Sequence, residues 1–426
     1  MNWFFGHPRN LVLFVAFSSV LAIPLPGTAQ IHPIDTELYP TRGNPTSAVA
    51  TRDGRYVFVS VTNVDQPNFS GPDAVAGGRK DAVSGIQVFR HVRSKGNHSE
   101  LQPVTFVPTG STGANGLLLL AGERTLVVGV GDEGVEFLDA RDLIHGKAIP
   151  RFAHQTQGAG TFDVVAAPHG QFVFSSNEYG VVNGQRGSVG IVATHIDRQG
   201  RVTNPETLGQ IAVGDVVPSL SISPDGTRLY VASELIRPQD AHSIAGASNP
   251  RLSKTDCVQR RGTPPRPNGY VSVIDAHRAA ALKDDAVLTR IAAGCSPVRL
   301  TETADARALF VSARGDDSIL SFDTLLLERD PEHAFLRSVS LGGAAPVGIR
   351  LFSKDHFLAV ANSNRFADAN GSLAILDVTG DPATAVPRVL SAGGFPRNLS
   401  LSADGSILYL TNYTSRSLEV IRISGR

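Results

Sequence analysis

The sequence is poor in side chains that stack, cross-link or carry a net charge. Its 426 residues include one Trp, one Met and two Cys, and 39 basic side chains balance 39 acidic ones. A net charge of zero gives no electrostatic reason to expect binding to nucleic acid or to an anionic membrane. The only indole, Trp3, lies at the extreme N-terminus, so the body of the chain has no Trp to stack on a quinone cofactor. Neither nucleic-acid binding nor a redox cofactor is expected.

Long apolar runs are also scarce, and the one at the N-terminus predicts export. The run from Leu11 to Ile23 follows a weakly positive start and precedes the small residues Gly27 to Ala29, as in a cleaved signal peptide. It is shorter than the roughly 20 apolar residues that a membrane span needs. We therefore expect residues 1–29 to be a signal peptide and 30–426 to form one domain. The mature protein is expected to be periplasmic or extracellular, with no membrane span.

No helical period separates the strand-like segments; instead, one pattern of short strands recurs along the chain. Each unit has a strand, a tight turn that commonly reads Asp-Gly, two further strands and a fourth that ends near Gly-x-x-Pro. Four short strands per unit, repeated without intervening helices, indicate small sheets stacked around an axis. The sequence predicts an all-β, seven-bladed β-propeller with four-stranded blades. The seven turns lie at Asp53-Gly54, Gly122, Pro168 to Gly170, Asp225-Gly226, Asp305, Asp355 and Asp404-Gly405.

The seventh unit is one strand short, because the chain ends soon after Ile423. The segment from Asp35 to Pro40, followed by Gly43-Asn44-Pro45, has the form of the missing fourth strand. We expect this N-terminal strand to complete the seventh blade and close the ring, which removes exposed sheet edges. Deleting residues 31–44 should then open the ring.

Two segments carry a resemblance to a known family. Tyr409-Leu-Thr-Asn412 and the run from Ser223 to Val231 (SPDGTRLYV) resemble the YVTN-type repeats of secreted bacterial β-propellers. The resemblance extends to the lactonase-like seven-bladed propellers related to 6-phosphogluconolactonase and covers nearly all of the mature chain. It implies the propeller fold. Members of these families range from lactone hydrolases to proteins with no known chemistry, so activity must be argued from the site.

The long insertions all fall in connections on one face of the predicted propeller, at 63–84, 177–187, 234–268 and 362–371. Loops elaborated on one face of a rigid scaffold commonly carry binding sites. Cys257 lies in the fourth of the seven blades, within its insertion, and Cys295 lies in the connection to the fifth blade. Both should therefore occupy this face. A disulfide between them would tether the insertion; the alternative is two free buried thiols.

Polar residues recur near the start of the first strands, which line the channel of a propeller. A collar of carboxylate, amide and guanidinium groups suits an anionic or hydroxyl-rich ligand, although the lining of a water-filled channel is polar in any case. The predicted ligand-binding residues are Asn115, Asp163, Arg299, Arg350, Arg397 and Asn398, in a row that also contains Ser47, Ser219 and Gly348.

The second strands end in a related set of polar residues. Asn177, Asn362 and Asn412 are predicted to bond nearby backbone groups at their turns. Glu178 and Glu234 follow the ends of two second strands. They are the acidic residues best placed to reach over the channel mouth.

Two functions remain open. In the first, the protein is a monomeric scaffold that binds a small molecule, glycan or protein through the loop-bearing face and the channel mouth, without a cofactor. In the second, it is a lactonase-like hydrolase that opens a sugar or acyl lactone. Asp163 or Glu234 would then act as base or metal ligand, and Arg299 or Arg350 would steady the carbonyl.

Only the hydrolase alternative calls for a divalent cation. The twelve histidines show no metal-binding spacing, and no Gly-x-Ser-x-Gly nucleophile motif occurs. The sequence therefore predicts no metal site and leaves open whether the protein is an enzyme.

Overall fold

The computed structural model describes residues 35–62, 84–93, 99–109, 113–155, 159–182, 184–254, 257, 268–365, 369–379 and 386–423. The expected signal peptide and most of the first insertion lie outside these residues. The described chain forms seven four-stranded antiparallel sheets. The prediction of an all-β, seven-bladed propeller is confirmed.

The strands follow the order of the predicted repeats. The first is β1 (Asp35–Pro40). Blade 1 holds β2 (Asn44–Ala50), β3 (Tyr56–Thr62), β4 (Gly85–Arg93) and β5 (Ser99–Pro108), and blade 2 holds β6 (Leu117–Leu119), β7 (Thr125–Gly129), β8 (Val135–Asp139) and β9 (Arg151–Ala153). Blade 3 holds β10 (Thr161–Ala166), β11 (Phe172–Val182), β12 (Gln185–Ala193) and β13 (Glu206–Ala212), and blade 4 holds β14 (Ser219–Ile222), β15 (Arg228–Ser233), β16 (Tyr270–Asp275) and β17 (Val287–Ala292).

The remaining three blades complete the ring. Blade 5 holds β18 (Pro297–Glu302), β19 (Ala308–Ala313), β20 (Ser318–Asp323) and β21 (Phe335–Ser340), and blade 6 holds β22 (Pro346–Phe352), β23 (Phe357–Asn362), β24 (Ser372–Asp377) and β25 (Arg388–Ser391). Blade 7 holds β26 (Pro396–Leu401), β27 (Ile407–Asn412) and β28 (Ser417–Arg422), with β1 as its outer strand.

The N-terminal strand closes the ring as predicted. β1 pairs antiparallel with β28, from Asp35 opposite Arg422 to Pro40 opposite Ser417. An ion pair of 2.9 Å between Nη1 of Arg422 and Oε1 of Glu37 supports the same seam. Closure leaves no blade incomplete among the described strands.

Helices are few and short. The helices α1 (Ala140–Ile144), α2 (Ala276–Ala280) and α3 (Thr324–Arg329) each follow a third strand, and single 3₁₀ turns cover Pro238–Ser243, Arg314–Asp316 and Pro331–His333. The Asp that ends each of these third strands caps the helix, as Asp139 does by accepting from the backbone N–H groups of Arg141 and Asp142. No helix in the described part of the chain is long and apolar enough to cross a membrane.

The core lies between the blades, because both faces of the middle strands are buried. On β27, Tyr409 packs against Val57 and Val59 of blade 1. Its neighbour Leu410 packs against Ala361 of blade 6. Successive side chains of a strand point to opposite faces, so each middle strand joins the blades on both sides.

The first strands of several blades carry a β-bulge close to the channel mouth. A hydroxyl group on the second strand then accepts the backbone N–H of the residue after the bulge. Since a bulge interrupts the ladder, this side-chain bond satisfies a donor that the partner strand does not. The four such bonds are Ser47 to Ser60, Asp163 to Ser176, Arg299 to Ser312 and Asn398 to Thr411, at 3.0, 3.0, 3.1 and 3.1 Å.

Candidate functional site

Three side chains from non-adjacent blades meet at the channel axis. The guanidinium carbon of Arg397, in blade 7, lies 4.9 Å from the ring centroid of Phe162, in blade 3. Arg299, in blade 5, lies 5.2 Å from the same centroid. These blades are not neighbours, so both contacts cross the channel. An aromatic ring with two guanidinium groups around it therefore occupies the mouth.

Backbone bulges direct two of these side chains. The pairing of β10 with β11 skips Phe162, and the pairing of β26 with β27 skips Arg397. A bulge re-aims the side chain of its extra residue. The bulge of β26 also fits closely against blade 6, because a Cβ on Gly348 would lie 2.7 Å from the carbonyl oxygen of Arg397. Glycine at this collar position makes that approach feasible.

Arg397 is an enclosed cation whose hydrogen-bond donors find no acceptor among the described residues. It lies over the rings of both Phe162 and Tyr413, the second at 5.0 Å, and is only 8% exposed. Its guanidinium group has no hydrogen bond or ion pair with any described residue. Burial lowers the pKa of Arg397, and the nearby charge of Arg299 lowers it further. The two rings offset this cost in part through cation–π attraction.

Arg299 is held more tightly but is also incompletely paired. Its Nη1 donates to the carbonyl oxygens of Pro218 and Val298, at 3.0 and 2.8 Å. Its Nε is buried and has no acceptor in the described part of the structure. Burial lowers the pKa of Arg299, while the charge of Asp163 opposes that shift. Asp163 itself accepts a 2.9 Å hydrogen bond from Ser219.

A second layer of charged groups comes from the residues that follow the second strands. Nη2 of Arg314 lies 2.7 Å from Oε2 of Glu234, and their side chains are 7% and 4% exposed. The hydroxyl of Ser296 donates to the same carboxylate oxygen at 2.6 Å and accepts from Arg314 at 3.0 Å. This buried ion pair joins blades 4 and 5 beside the channel mouth.

Glu178 interacts electrostatically with most of this layer. Burial raises the pKa of this half-buried carboxyl group, and the charge of Glu234 raises it further. The charges of Arg365, Arg397 and Arg314 oppose the shift. Burial also lowers the pKa of Arg365 to about 10. The enclosed mouth thus disfavours the charged form of acids and bases alike.

The other predicted site residues fall into two groups. Asn115 and Asn398 border the mouth, where both are half-buried. Nδ2 of Asn115 donates to the carbonyl of Thr161 at 3.4 Å. Arg350 does not join them: it lies two residues beyond Gly348 on β22, roughly 7 Å deeper in the channel. Desolvation lowers the pKa of Arg350, and the charge of Asp355, in the turn at the opposite end of the blade, opposes that shift.

The buried asparagines at the ends of the second strands do not make the backbone caps that the sequence suggested. Nδ2 of Asn177 donates to the hydroxyl of Ser188 at 3.1 Å, and Asn362 donates to Ser372 at 3.2 Å. Both acceptors lie opposite on the third strand. These side chains therefore tie strands together at the loop-bearing end.

The predicted disulfide is confirmed. Cys257 and Cys295 are bonded, with a Cα–Cα distance of 5.3 Å. The backbone N–H of Cys295 donates to Asp316 at 2.8 Å, and Lys254 pairs with the same carboxylate at 2.9 Å. The blade 4 insertion is thus anchored one residue from Ser296, which bonds the Arg314–Glu234 pair.

Sequence reasoning missed four members of the mouth: Phe162, Arg314, Arg365 and Tyr413. Two of them, Arg314 and Tyr413, directly follow second strands, as Glu178 follows the buried Asn177. Reading that position in every blade would have found them. No group of three or more His, Cys, Asp or Glu side chains among the described residues could hold a metal ion.

Comparison with known families bears on the fold. Residues 348–426 match the family model described as lactonase, 7-bladed beta-propeller. The last two blades resemble that family, and the chain as a whole is a seven-bladed β-propeller. The matched segment of this propeller spans blades 6 and 7 and contains both Arg397 and Tyr413. No curated protein matches the chain.

Solved structures resemble this propeller in fold alone. Hydrazine synthase of Kuenenia stuttgartiensis is 15% identical, with a TM-score of 0.59, covering 90% of this chain and 96% of that one. A chain of a mitotic checkpoint complex is 11% identical, with a TM-score of 0.58 and coverages of 95% and 98%. The Cps50 (Swd1) propeller domain of Myceliophteria thermophila is 12% identical, with a TM-score of 0.56 and coverages of 93% and 100%.

Proposed function

We propose that this propeller is an exported binding protein that holds a small ligand at the channel mouth, on its insertion-bearing face. The observation that carries the proposal is the enclosed guanidinium group of Arg397, which has no hydrogen bond or ion pair with any described residue. Burying a charge without a partner is costly. A ligand that accepted hydrogen bonds from Arg397 would remove that cost.

The surroundings of Arg397 support a role in binding. Phe162, Arg299 and Arg397 come from three blades, so the arrangement does not follow from the repeat. Convergent polar groups beside an aromatic surface are typical of small-molecule sites. The disulfide that anchors the adjoining insertion is compatible with an oxidising compartment outside the cytoplasm.

A thermal-shift screen of the mature protein, residues 30–426, tests the proposal. The library would contain organic acids, polyols and lactones, and the variants would be Arg397→Gln and Arg55→Gln. Arg55 is an exposed turn residue at the other end of the propeller, so its variant should respond like the wild type. Compounds that stabilise the wild type should not stabilise Arg397→Gln. Equal stabilisation of both would place the site elsewhere.

A lactonase-like hydrolase is the second candidate, favoured by the family match over residues 348–426. In this reading Glu178 is the best-placed general base, since burial raises its pKa and it has no charge partner as close as that of Glu234 among the ion pairs of the described residues. Glu234 is neutralised by Arg314, and Asp163 is bonded to Ser219.

Proton release from a panel of sugar and acyl lactones, with and without a chelator, tests this candidate. Turnover that Glu178→Gln abolishes would establish the hydrolase. Absence of turnover from a protein that binds ligands in the thermal screen would leave the binding function alone.

A further inference from the structure

We propose that the group recognised at the channel mouth is a carboxylate with a single negative charge, bound in a two-point contact by Arg397. This inference rests on the proposed function and specifies its ligand class. It follows from the placement of the guanidinium group and from the balance of charges around it.

Neither the aromatic neighbours nor any other described residue accepts a hydrogen bond from the guanidinium group of Arg397. The ring centroids of Phe162 and Tyr413 lie 4.9 and 5.0 Å from the guanidinium carbon of Arg397. The five N–H donors of the guanidinium group lie in its own plane. A planar donor fork matches the two oxygens of a carboxylate or two oxygens of a phosphate. Geometry alone therefore selects an oxyanion with two acceptors on one edge.

The balance of charges selects between those two. In the described part of the mouth, four guanidinium groups interact with three carboxyl groups, so one positive charge is in excess at a pH at which all seven groups are ionised. A monoanion would neutralise this excess. A dianion would place a further negative charge in an enclosed space that already contains Glu178 and Glu234. The guanidinium groups belong to Arg299, Arg314, Arg365 and Arg397, and the carboxyl groups to Asp163, Glu178 and Glu234.

Two further groups can complete the contact. Nε of Arg299 has no acceptor among the described residues. The side-chain amide of Asn398 borders the mouth and makes no hydrogen bond within the described structure. A carboxylate held by Arg397 would therefore find additional donors from blades 5 and 7.

Isothermal titration calorimetry with small probes in a low-chloride buffer at pH 8, where inorganic phosphate is mainly a dianion, tests the inference. Acetate and benzoate would be compared with their neutral amides and with inorganic phosphate. For a ligand as small as acetate we expect millimolar affinity, because so few heavy atoms set a low ceiling on the binding free energy. Benzoate should bind more tightly, the amides should not bind detectably, and phosphate should bind at least about tenfold more weakly than benzoate.

Two variants of Arg397 distinguish the effect of its planar N–H donors from the effect of its positive charge. Arg397→Gln should weaken benzoate binding at least about tenfold, and Arg397→Lys should recover only part of it, because an ammonium group has no planar fork. Arg55→Gln should bind as the wild type does. Circular dichroism would verify that each variant is folded, and Arg397→Lys keeps the charge at the site if Arg397→Gln does not fold.

The outcomes distinguish this inference from the proposed function. Phosphate binding as tight as benzoate binding would overturn the carboxylate assignment. So would the absence of binding by both carboxylates, and in either case Arg397-dependent hits in the thermal screen would preserve the binding function. Benzoate binding that Arg397→Gln and Arg397→Lys leave unchanged would overturn this inference and remove the observation on which the proposed function depends.

Discussion

The two ends of the propeller treat charged groups in opposite ways. At the turn end, Asp225, Asp305 and Asp404 each accept a 2.6 Å hydrogen bond from a hydroxyl group two residues earlier in the chain. These hydroxyl bonds, with nearby backbone N–H donors, lower the pKa of all three. Each charge is stabilised inside its own turn, and the arrangement repeats from blade to blade.

At the mouth end, the charged groups depend on residues from other blades. Burial lowers the pKa of Arg397 and raises that of Glu178, so the enclosure opposes both charges. The turn carboxylates are explained by the fold that they stabilise. The fold does not explain the charged groups of the mouth in this way, and this difference is the reason to assign function to the mouth.

The largest effect should come from breaking the buried pair at the mouth. Arg314→Leu removes the guanidinium group that lies 2.7 Å from the buried Glu234 carboxylate, which should lower the free energy of unfolding by about 3–5 kcal/mol. Urea denaturation of the wild type and the variant measures the difference.

The matched control lies at the turn end. Arg55 pairs with Asp53 on the surface, where Arg55 is 74% exposed, so Arg55→Leu should leave the denaturation midpoint nearly unchanged. A small effect of Arg314→Leu, similar to that of the control, would show that the two ends do not differ in this way.

Two acidic residues on third strands extend the comparison. Glu136 and Glu419 occupy equivalent places, opposite Val128 on β7 and Leu410 on β27. Glu419 accepts a 2.9 Å hydrogen bond from Asn412. Glu136 is fully buried, and neither of its oxygens has a partner among the described residues. Burial raises the pKa of Glu136 to about 8.

The raised pKa of Glu136 gives a defined pH dependence. Below its ordinary pKa of 4.5, the group is protonated in the folded and unfolded chains and has no effect. Between 4.5 and about 8, the unfolded chain is ionised while the folded chain keeps the proton. Folding stability should therefore fall as pH rises, by roughly 2–3 kcal/mol between pH 5 and pH 7.

Glu136→Gln should remove this part of the pH dependence and stabilise the protein near neutral pH. Urea denaturation at pH 5, 6 and 7 would measure it, with Glu419→Gln as the matched variant and a smaller change expected there. Identical pH profiles for Glu136→Gln and the wild type would show that the carboxyl group has a partner in solution.

Most of the fold was predictable because the repeat is local. Alternating residues and Asp-containing turns define each strand within a few positions, and the strand from Asp35 to Pro40 had the form that the last blade lacked. The disulfide was also predictable, because the assignment of insertions and connections to one face of the propeller placed Cys257 and Cys295 on the same face. Each of these inferences uses short segments and one known architecture.

The site was less predictable because it depends on bulges and contacts across the channel. The collar position in blade 3 is Asp163, but the bulge directs its neighbour Phe162 to the axis, and an offset of one residue changes the face. Arg350 shares a strand face with Gly348, yet it lies deeper in the channel. The contact of Arg397 with Phe162 joins blades that are distant in sequence, which no local pattern reports.

The smallest effect on stability should come from a substitution at the turn end. Its pH dependence should be opposite to that of Glu136→Gln. Ser402→Ala removes a hydroxyl group that donates a hydrogen bond to Asp404. Among the groups around Asp404, this hydroxyl has the largest effect in lowering its pKa. The lowered pKa contributes stability above the ordinary value of 3.8, and that contribution is lost as pH falls through the folded value. Because the turn is exposed, the variant should lose less than about 1 kcal/mol at pH 7. Urea denaturation should show this loss disappearing at pH values low enough to protonate Asp404, whereas the effect of Glu136→Gln grows from pH 5 to pH 7. A loss that stayed constant down to the lowest pH would mean that the hydroxyl group supports the turn without acting on the carboxylate.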